Sequence, residues 1–217
     1  MMSDLRPRAA ALNSAALSDA VGRLFGHVST ISDLVSPTPG RVLFGRAATV
    51  RFAALREDVF EPRAHSFARF FHEAVGRSPS DKVLVLSTGG RSDLSVGGGV
   101  KLSRLDNHSL AGLLTDGRLR DFRELSAYAP AFYCRGETHR AGTGDIMPVE
   151  ANGLVTLGDA TIIPGDYLFA DAAGAVVVPV SAIEDALTLA LEIQADDARY
   201  LEAIRLEDPH APGGAEP

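Results

Sequence analysis

The spacing of hydrophobic and polar positions changes period several times along this chain, and each change predicts an element. Residues 13–24 carry small and apolar side chains at helical spacing and predict a first helix. Pro37 and Pro39-Gly40 mark a loop, after which 41–52 reads as extended, with Gly45 at a bulge or a close backbone approach. Residues 64–75 return to a helical pattern that points Phe67, Phe70 and Phe71 into a core, and Gly76 and Pro79 end it. The continuous apolar run 83–86 predicts a buried strand closing at Ser87-Thr88-Gly89-Gly90. A helix over 100–109 follows the triple glycine Gly97-Gly98-Gly99, and 110–114 forms the next buried strand. Strand, turn, helix, strand is the order of layered α/β packing.

Beyond Pro130 the rhythm shortens. Segments 154–157, 160–163, 167–170 and 175–178 read as strands punctuated by glycine and proline. Residues 181–206 form a long amphipathic helix, with Ser181 as its cap and Glu184 three places on in the capping-box position. The Pro/Gly-rich stretch 209–217 predicts a disordered tail after one domain spanning 1–208.

At 217 residues and 46% hydrophobic, the chain is long enough for one domain with a substantial core. No apolar run has the length that crosses a bilayer, and the start lacks a signal-peptide core, so the expectation is a cytoplasmic protein with no membrane partner. A net charge of -7 without a basic stripe argues against nucleic acid as a partner. The single cysteine, Cys134, excludes an intrachain disulfide and reads as structural.

Candidate chemistry gathers in two places. Three consecutive glycines cost conformational entropy on folding, so a backbone geometry or close approach at 97–99 requires them. At a helix start they leave N–H groups and the positive end of the dipole available to an anion. The second place is Asp116-Gly117-Arg118-Leu119-Arg120-Asp121, at the end of a predicted strand, where α/β sites tend to form. Arg120 can grip a carboxylate with two parallel donors, and Asp121 is a hard oxygen ligand suited to Mg²⁺ or Mn²⁺. The bland reading of that pair is a surface ion pair in the first turn of a helix. His27, His65, His72, His108, His139 and His210 are scattered and build no zinc motif, although His139 and Arg140 sit in a polar, glycine-bearing loop. Asp166 and Asp171 read as turn formers.

These marks resemble the regulator-of-ribonuclease-activity-A-like (RraA-like) family, which includes class II 4-hydroxy-4-methyl-2-oxoglutarate aldolases. The resemblance rests on Leu17-Ser18-Asp19-Ala20, Gly89-Gly90, Gly98, Gly112, residues 116–121, Pro148-Val149, Pro164-Gly165-Asp166, and Asp171-Ala172-Ala173-Gly174 leading to Val176-Val177-Val178-Pro179. It implies a layered β/β/α fold of the swivelling phosphohistidine-domain type, assembled as homotrimers or hexamers with sites between subunits. It further implies Asp121 as ligand of Mg²⁺ or Mn²⁺, and Arg120 as the group that holds a pyruvoyl moiety and steadies charge on its oxygen. Backbone amides of Gly98, Gly99, Val100 and Lys101 would bind the substrate carboxylate. The implied activity is metal-dependent cleavage of 4-hydroxy-4-methyl-2-oxoglutarate or a related 2-oxo acid to pyruvate, with oxaloacetate decarboxylation through the same enolate. Two alternatives accompany it: a non-enzymatic regulator of ribonuclease activity, and a member acting on a different 2-oxo acid.

The chain departs from the family's aldolases at Gly99, where they commonly carry an acid that orients water on the metal. Asp93 is a candidate replacement. A further acid is often supplied by a neighbour's C-terminal helix, where Asp196 or Asp197 is the nearest match.

Overall fold

A computed structural model describes residues 2–27 and 29–207, so the expected tail at 209–217 lies outside the described residues. The longest strand, β2 (Leu43–Ala54), organises the sheet because each part of it serves a different neighbour. Along one edge it pairs in parallel with β3 (Lys82–Ser87), which is followed outward by the parallel strands β5 (Gly112–Thr115) and β7 (Ala131–Tyr133). On its other edge, residues 43–46 pair antiparallel with β11 (Tyr167–Asp171), and residues 50–54 with β8 (Ile146–Ala151). A register shift between Arg51 and Phe52 accommodates β8. The sheet closes outward through β12 (Gly174–Val178) and the short β1 (Thr30–Ile31).

Alternation along these strands assigns the layers. Ala48, Val50, Leu84, Leu86 and Leu113 point to one face, where α3 (Phe67–Val75) and α4 (Gly99–Asn107) cover them with Phe70, Phe71, Leu102 and Leu105. Phe44, Tyr167, Phe169, Val176 and Val178 continue that helical side under α1 (Met2–Ala10), α2 (Ser14–Phe25) and α6 (Ile183–Arg205). The opposite positions, including Val83, Val85, Leu114, Leu168 and Val177, are buried by the hairpin of β9 (Val155–Leu157) and β10 (Ala160–Ile162). Hairpin, sheet and helices make the expected β/β/α layering.

The close approach expected at Gly45 is real: a Cβ there would lie 2.5 Å from the Asp81 carbonyl oxygen. One helix goes beyond the expected elements, and one expectation changes. The chain start forms α1, whose Leu5 and Ala9 are fully buried, and Arg8 donates to Glu184 at 2.7 Å. That contact removes Glu184 from the capping-box role, and Ser181 caps nothing. Pro179 instead leads a 3₁₀ turn, Val180–Ala182, straight into α6, so the first turn is entered without a side-chain cap. Among the described residues no helix is long and apolar enough to cross a membrane.

Candidate functional site

Two short strands bring the candidate residues together. β4 (Ser95–Gly97) and β6 (Arg118–Leu119) pair in parallel, and the Arg120 amide donates to the Gly97 carbonyl at 2.9 Å. Each strand runs directly into a helix, β4 into α4 and β6 into the four-residue α5 (Phe122–Leu125). The two helix starts therefore lie side by side.

Gly98 occupies the cap position of α4 and has no side chain to satisfy the first turn. Asp121 does so from the neighbouring strand, its Oδ2 accepting the Gly99 amide at 3.0 Å. To reach that position Asp121 adopts the left-handed region, with φ of 62°. This is a rare conformation for a residue with a Cβ and persists only where the surroundings hold it. Here the Leu125 amide bonds the Asp121 carbonyl, and Glu137 Oε1 accepts the Phe122 amide at 3.0 Å. Gly98 must be glycine: a Cβ there would lie 2.9 Å from the Arg120 Cβ and run into the Asp121 carboxylate.

Beside this junction is a cavity of 210 Å³ lined by Gly98, Val100, Lys101, Arg120, Asp121 and the loop Ala141-Gly142-Thr143, with Ser95 and Gly97 at its base. After Asp121 takes the Gly99 amide, Val100 and Lys101 supply the remaining first-turn amides on this wall. Arg120 is exposed, and among the described residues its guanidinium has no hydrogen bond or ion pair. Lys101 is half-buried; its ammonium donates to the Val96 carbonyl at 3.2 Å and lies 5.1 Å from the Phe67 ring centroid. Burial, reinforced by the charges of Arg104 and Arg120, pushes its pKa below the ordinary lysine value. On the far side of Arg120 an open recess is lined by Asp121, Glu137, Thr138 and His139.

The expected residues thus meet, with exceptions. The Gly99 amide is already engaged by Asp121, so the amide row open to a ligand is shorter than expected. Asp93 does not stand in for the acid missing at position 99: Arg140 holds it at 2.7 Å in an exposed cluster with Arg91 and Asp145. The space at 99 is itself restricted, since a Cβ there would lie 3.0 Å from the Glu124 Cβ. Asp196 is ion-paired with Arg199 on the exposed part of α6, and neither it nor Asp197 is among the residues lining the two cavities described around Asp121. Ser95, Thr143 and Glu137 were not singled out by sequence; only the glycines around 139–144 signalled that loop.

Other titratable groups serve the scaffold. Burial raises the pKa of Asp116 against the opposing effect of the Thr88 amide, which its Oδ1 accepts at 2.8 Å, so this carboxylate ties the 88–90 turn to the end of β5. Cys134 is fully buried and its thiol is pushed up to about 11 by burial, in keeping with a structural role.

Whether these residues suit a divalent ion follows from the donor set. No group of three or more His, Cys, Asp or Glu gathers for a metal among the described residues. Asp121 alone offers a hard oxygen at the cavity, and one bond to Gly99 leaves a carboxylate with further acceptor sites. One carboxylate suits Mg²⁺ when substrate and water complete the shell, so the residues fit such an ion only together with a chelating ligand.

Fold and site together define a layered β/β/α protein in which a helix start faces an Arg-Asp pair. The chain belongs to the RraA-like family (Aldolase/RraA), whose model matches residues 14–177. A provisionally named 4-hydroxy-4-methyl-2-oxoglutarate aldolase from Halalkalibacterium halodurans is 33% identical over 131 residues, 58% of this chain and 60% of that protein. Protein DlpA of Legionella pneumophila is 24% identical over 196 residues, which are 88% of this chain and 30% of DlpA. The match therefore spans less than two thirds of either relative. Among solved structures, RraAS2 of Streptomyces coelicolor, described as an unusual member of the RNase ES inhibitor RraA family, superimposes with a TM-score of 0.78 at 24% identity, covering 94% of this chain and 98% of that one. An uncharacterized Pseudomonas syringae protein gives 0.82 at 24% identity, covering 95% and 90%. At such identities the structural likeness speaks to the fold.

Proposed function

We propose that the protein is a divalent-metal-dependent lyase that cleaves a 2-oxo acid to release pyruvate. The observation that carries this reading is the Arg120 guanidinium, unpaired among the described residues, on the same cavity wall as Asp121 and the open first turn of α4. The first-turn amides of Val100 and Lys101 receive the substrate carboxylate, where the helix dipole favours negative charge. Arg120 orients the pyruvoyl end with its planar fork and opposes the charge that grows on the 2-oxo oxygen. Cleavage breaks the C3–C4 bond; its electron pair passes into the pyruvate enolate while the C4 hydroxyl gives its proton to water and becomes a carbonyl, and protonation of C3 from water then yields pyruvate. Decarboxylation of oxaloacetate reaches the same enolate with CO₂ as the leaving fragment. Asp121 would hold Mg²⁺ or Mn²⁺, and such an ion supplies electron withdrawal from the 2-oxo group when bound.

The site is proposed to be completed between subunits of a homotrimer or hexamer, with Asp196 or Asp197 of a neighbour as the further acid. Pyruvate release from 4-hydroxy-4-methyl-2-oxoglutarate or oxaloacetate should require Mg²⁺ or Mn²⁺ and stop with chelator. Asp121→Ala should lower kcat/KM by about 100-fold or more while the oligomer persists. Undiminished turnover in that variant sinks the metal role.

A second reading is favoured by one observation, the lack of a three-ligand cluster among the described residues. On that reading the protein regulates a ribonuclease by binding it, without catalysis. A purified ribonuclease should then co-sediment with the protein at low salt, and separate sedimentation removes this alternative.

A further inference from the structure

Behind the polar cavity lies a second one, of 260 Å³, that the chemistry above does not use. The two share Ser95, Lys101, Gly142 and Thr143 as a common wall. The character changes across that wall. The second chamber is lined by the buried side chains of Phe52, Ile146 and Met147 and by Leu55, Phe60 and Phe67. Its polar side chains are largely spoken for: Ser95 Oγ donates to the Gly97 carbonyl, and His65 Nδ1 lies 3.0 Å from the Glu61 amide. Among the described residues Lys101 has no carboxylate partner; it lines both cavities, with its ammonium 5.1 Å from the Phe67 ring centroid.

We infer that this chamber receives the distal part of the substrate, and that this part is an apolar aromatic or branched aliphatic group rather than a second carboxylate. The inference rests on the 2-oxo acid reading of the adjoining cavity and narrows it: a monocarboxylic 2-oxo acid is the better substrate, and 4-hydroxy-4-methyl-2-oxoglutarate and oxaloacetate, each with a second carboxylate, are poorer ones. A ligand whose carboxylate lies at the α4 start and whose chain passes Lys101 enters the chamber tail first. Size permits it, since an apolar void of about 150 Å³ already takes up benzene. A distal carboxylate would leave water for a space lined by three buried apolar side chains, where the one cation is Lys101, with one of its three donors already on Val96.

Calorimetric titration of the full chain in Mn²⁺ with pyruvate, 2-oxoglutarate and 3-phenylpyruvate tests the inference. The phenyl compound should bind about tenfold or more tightly than pyruvate, and 2-oxoglutarate no more tightly than pyruvate. Leu55→Trp, which fills the chamber, should erase the gain and leave pyruvate affinity within about twofold. Phe60→Ala, at the 38% exposed rim, should reduce the gain without threatening the fold, and serves should the tryptophan variant misfold. Tighter binding of 2-oxoglutarate than of 3-phenylpyruvate overturns the inference, as does a gain that survives both variants. A side chain from a second copy seated in the chamber would abolish the gain in the parent protein and overturn it equally. The lyase reading fails separately, if pyruvate binding ignores both Mn²⁺ and Asp121→Ala.

Discussion

The starts of α2 and α4 are built from the same problem and solve it oppositely. At α2, Asn13 Oδ1 accepts the Ala16 amide at 2.8 Å, while Asp171 takes both the Ser14 amide and hydroxyl, at 2.8 and 2.7 Å. Two side chains thus take the Ser14 and Ala16 amides of that first turn. At α4 the cap position is Gly98, and a single carboxylate, Asp121 at the start of α5, engages one amide. The rest of the first turn faces a cavity beside an unpaired arginine. A helix start with two side chains on its first turn is held for stability; one with a single capping carboxylate beside a cavity keeps amides for a ligand.

Breaking the open start should have the largest effect. Gly98→Ala forces a methyl group against Arg120 and Asp121, so manganese-dependent binding of pyruvate should weaken by about 100-fold, measured by calorimetry. Binding within twofold of the parent removes the geometric basis of the site. Breaking the closed start should act on stability alone. Asp171→Ala strands the Ser14 amide and hydroxyl and should cost about 1–3 kcal/mol in urea unfolding, with pyruvate binding unchanged.

The smallest effect concerns charge beside the open start. The folded pKa of Lys101 is depressed from 10.5, so the charged lysine destabilises the fold while both states are protonated. That penalty is full below the folded pKa and disappears as pH rises through it towards 10.5. Lys101→Met should therefore gain stability relative to the parent at neutral pH, and the difference should narrow in alkaline solution. A difference in melting temperature that stays flat from pH 7 to about 10.5 refutes the assigned cause.

Much of this contrast was readable in the chain itself. Apolar runs such as 83–86 and the phenylalanines of α3 produced the elements expected of them, because burial on a sheet face dominates local preference there. Gly45 announced its close approach, and Gly97-Gly98-Gly99 with Arg120-Asp121 announced the site. What was hidden depends on distance in sequence. The pairing of β4 with β6 involves strands of three and two residues, too short to leave a period. The cap that Asp121 gives Gly99 crosses 22 residues, and the engagement of Asp93 by Arg140 crosses 47. Ser181 and Glu184 fitted a local motif, yet Arg8, 176 residues from Glu184, drew that carboxylate elsewhere. Local motifs report what a segment can do, and only the fold decides which partner reaches it first.

The loop holding Gly142 and Thr143 borders both cavities, and its backbone is pinned by the Gly142 amide donating to the Ser95 carbonyl at 2.9 Å. Lengthening or shortening that one segment would reshape the ionic pocket and the greasy one in the same stroke. On the proposed reading, preference for the head of a molecule and preference for its tail are thereby inherited together, so a relative that altered this loop would change its menu of acids as a whole rather than one end at a time.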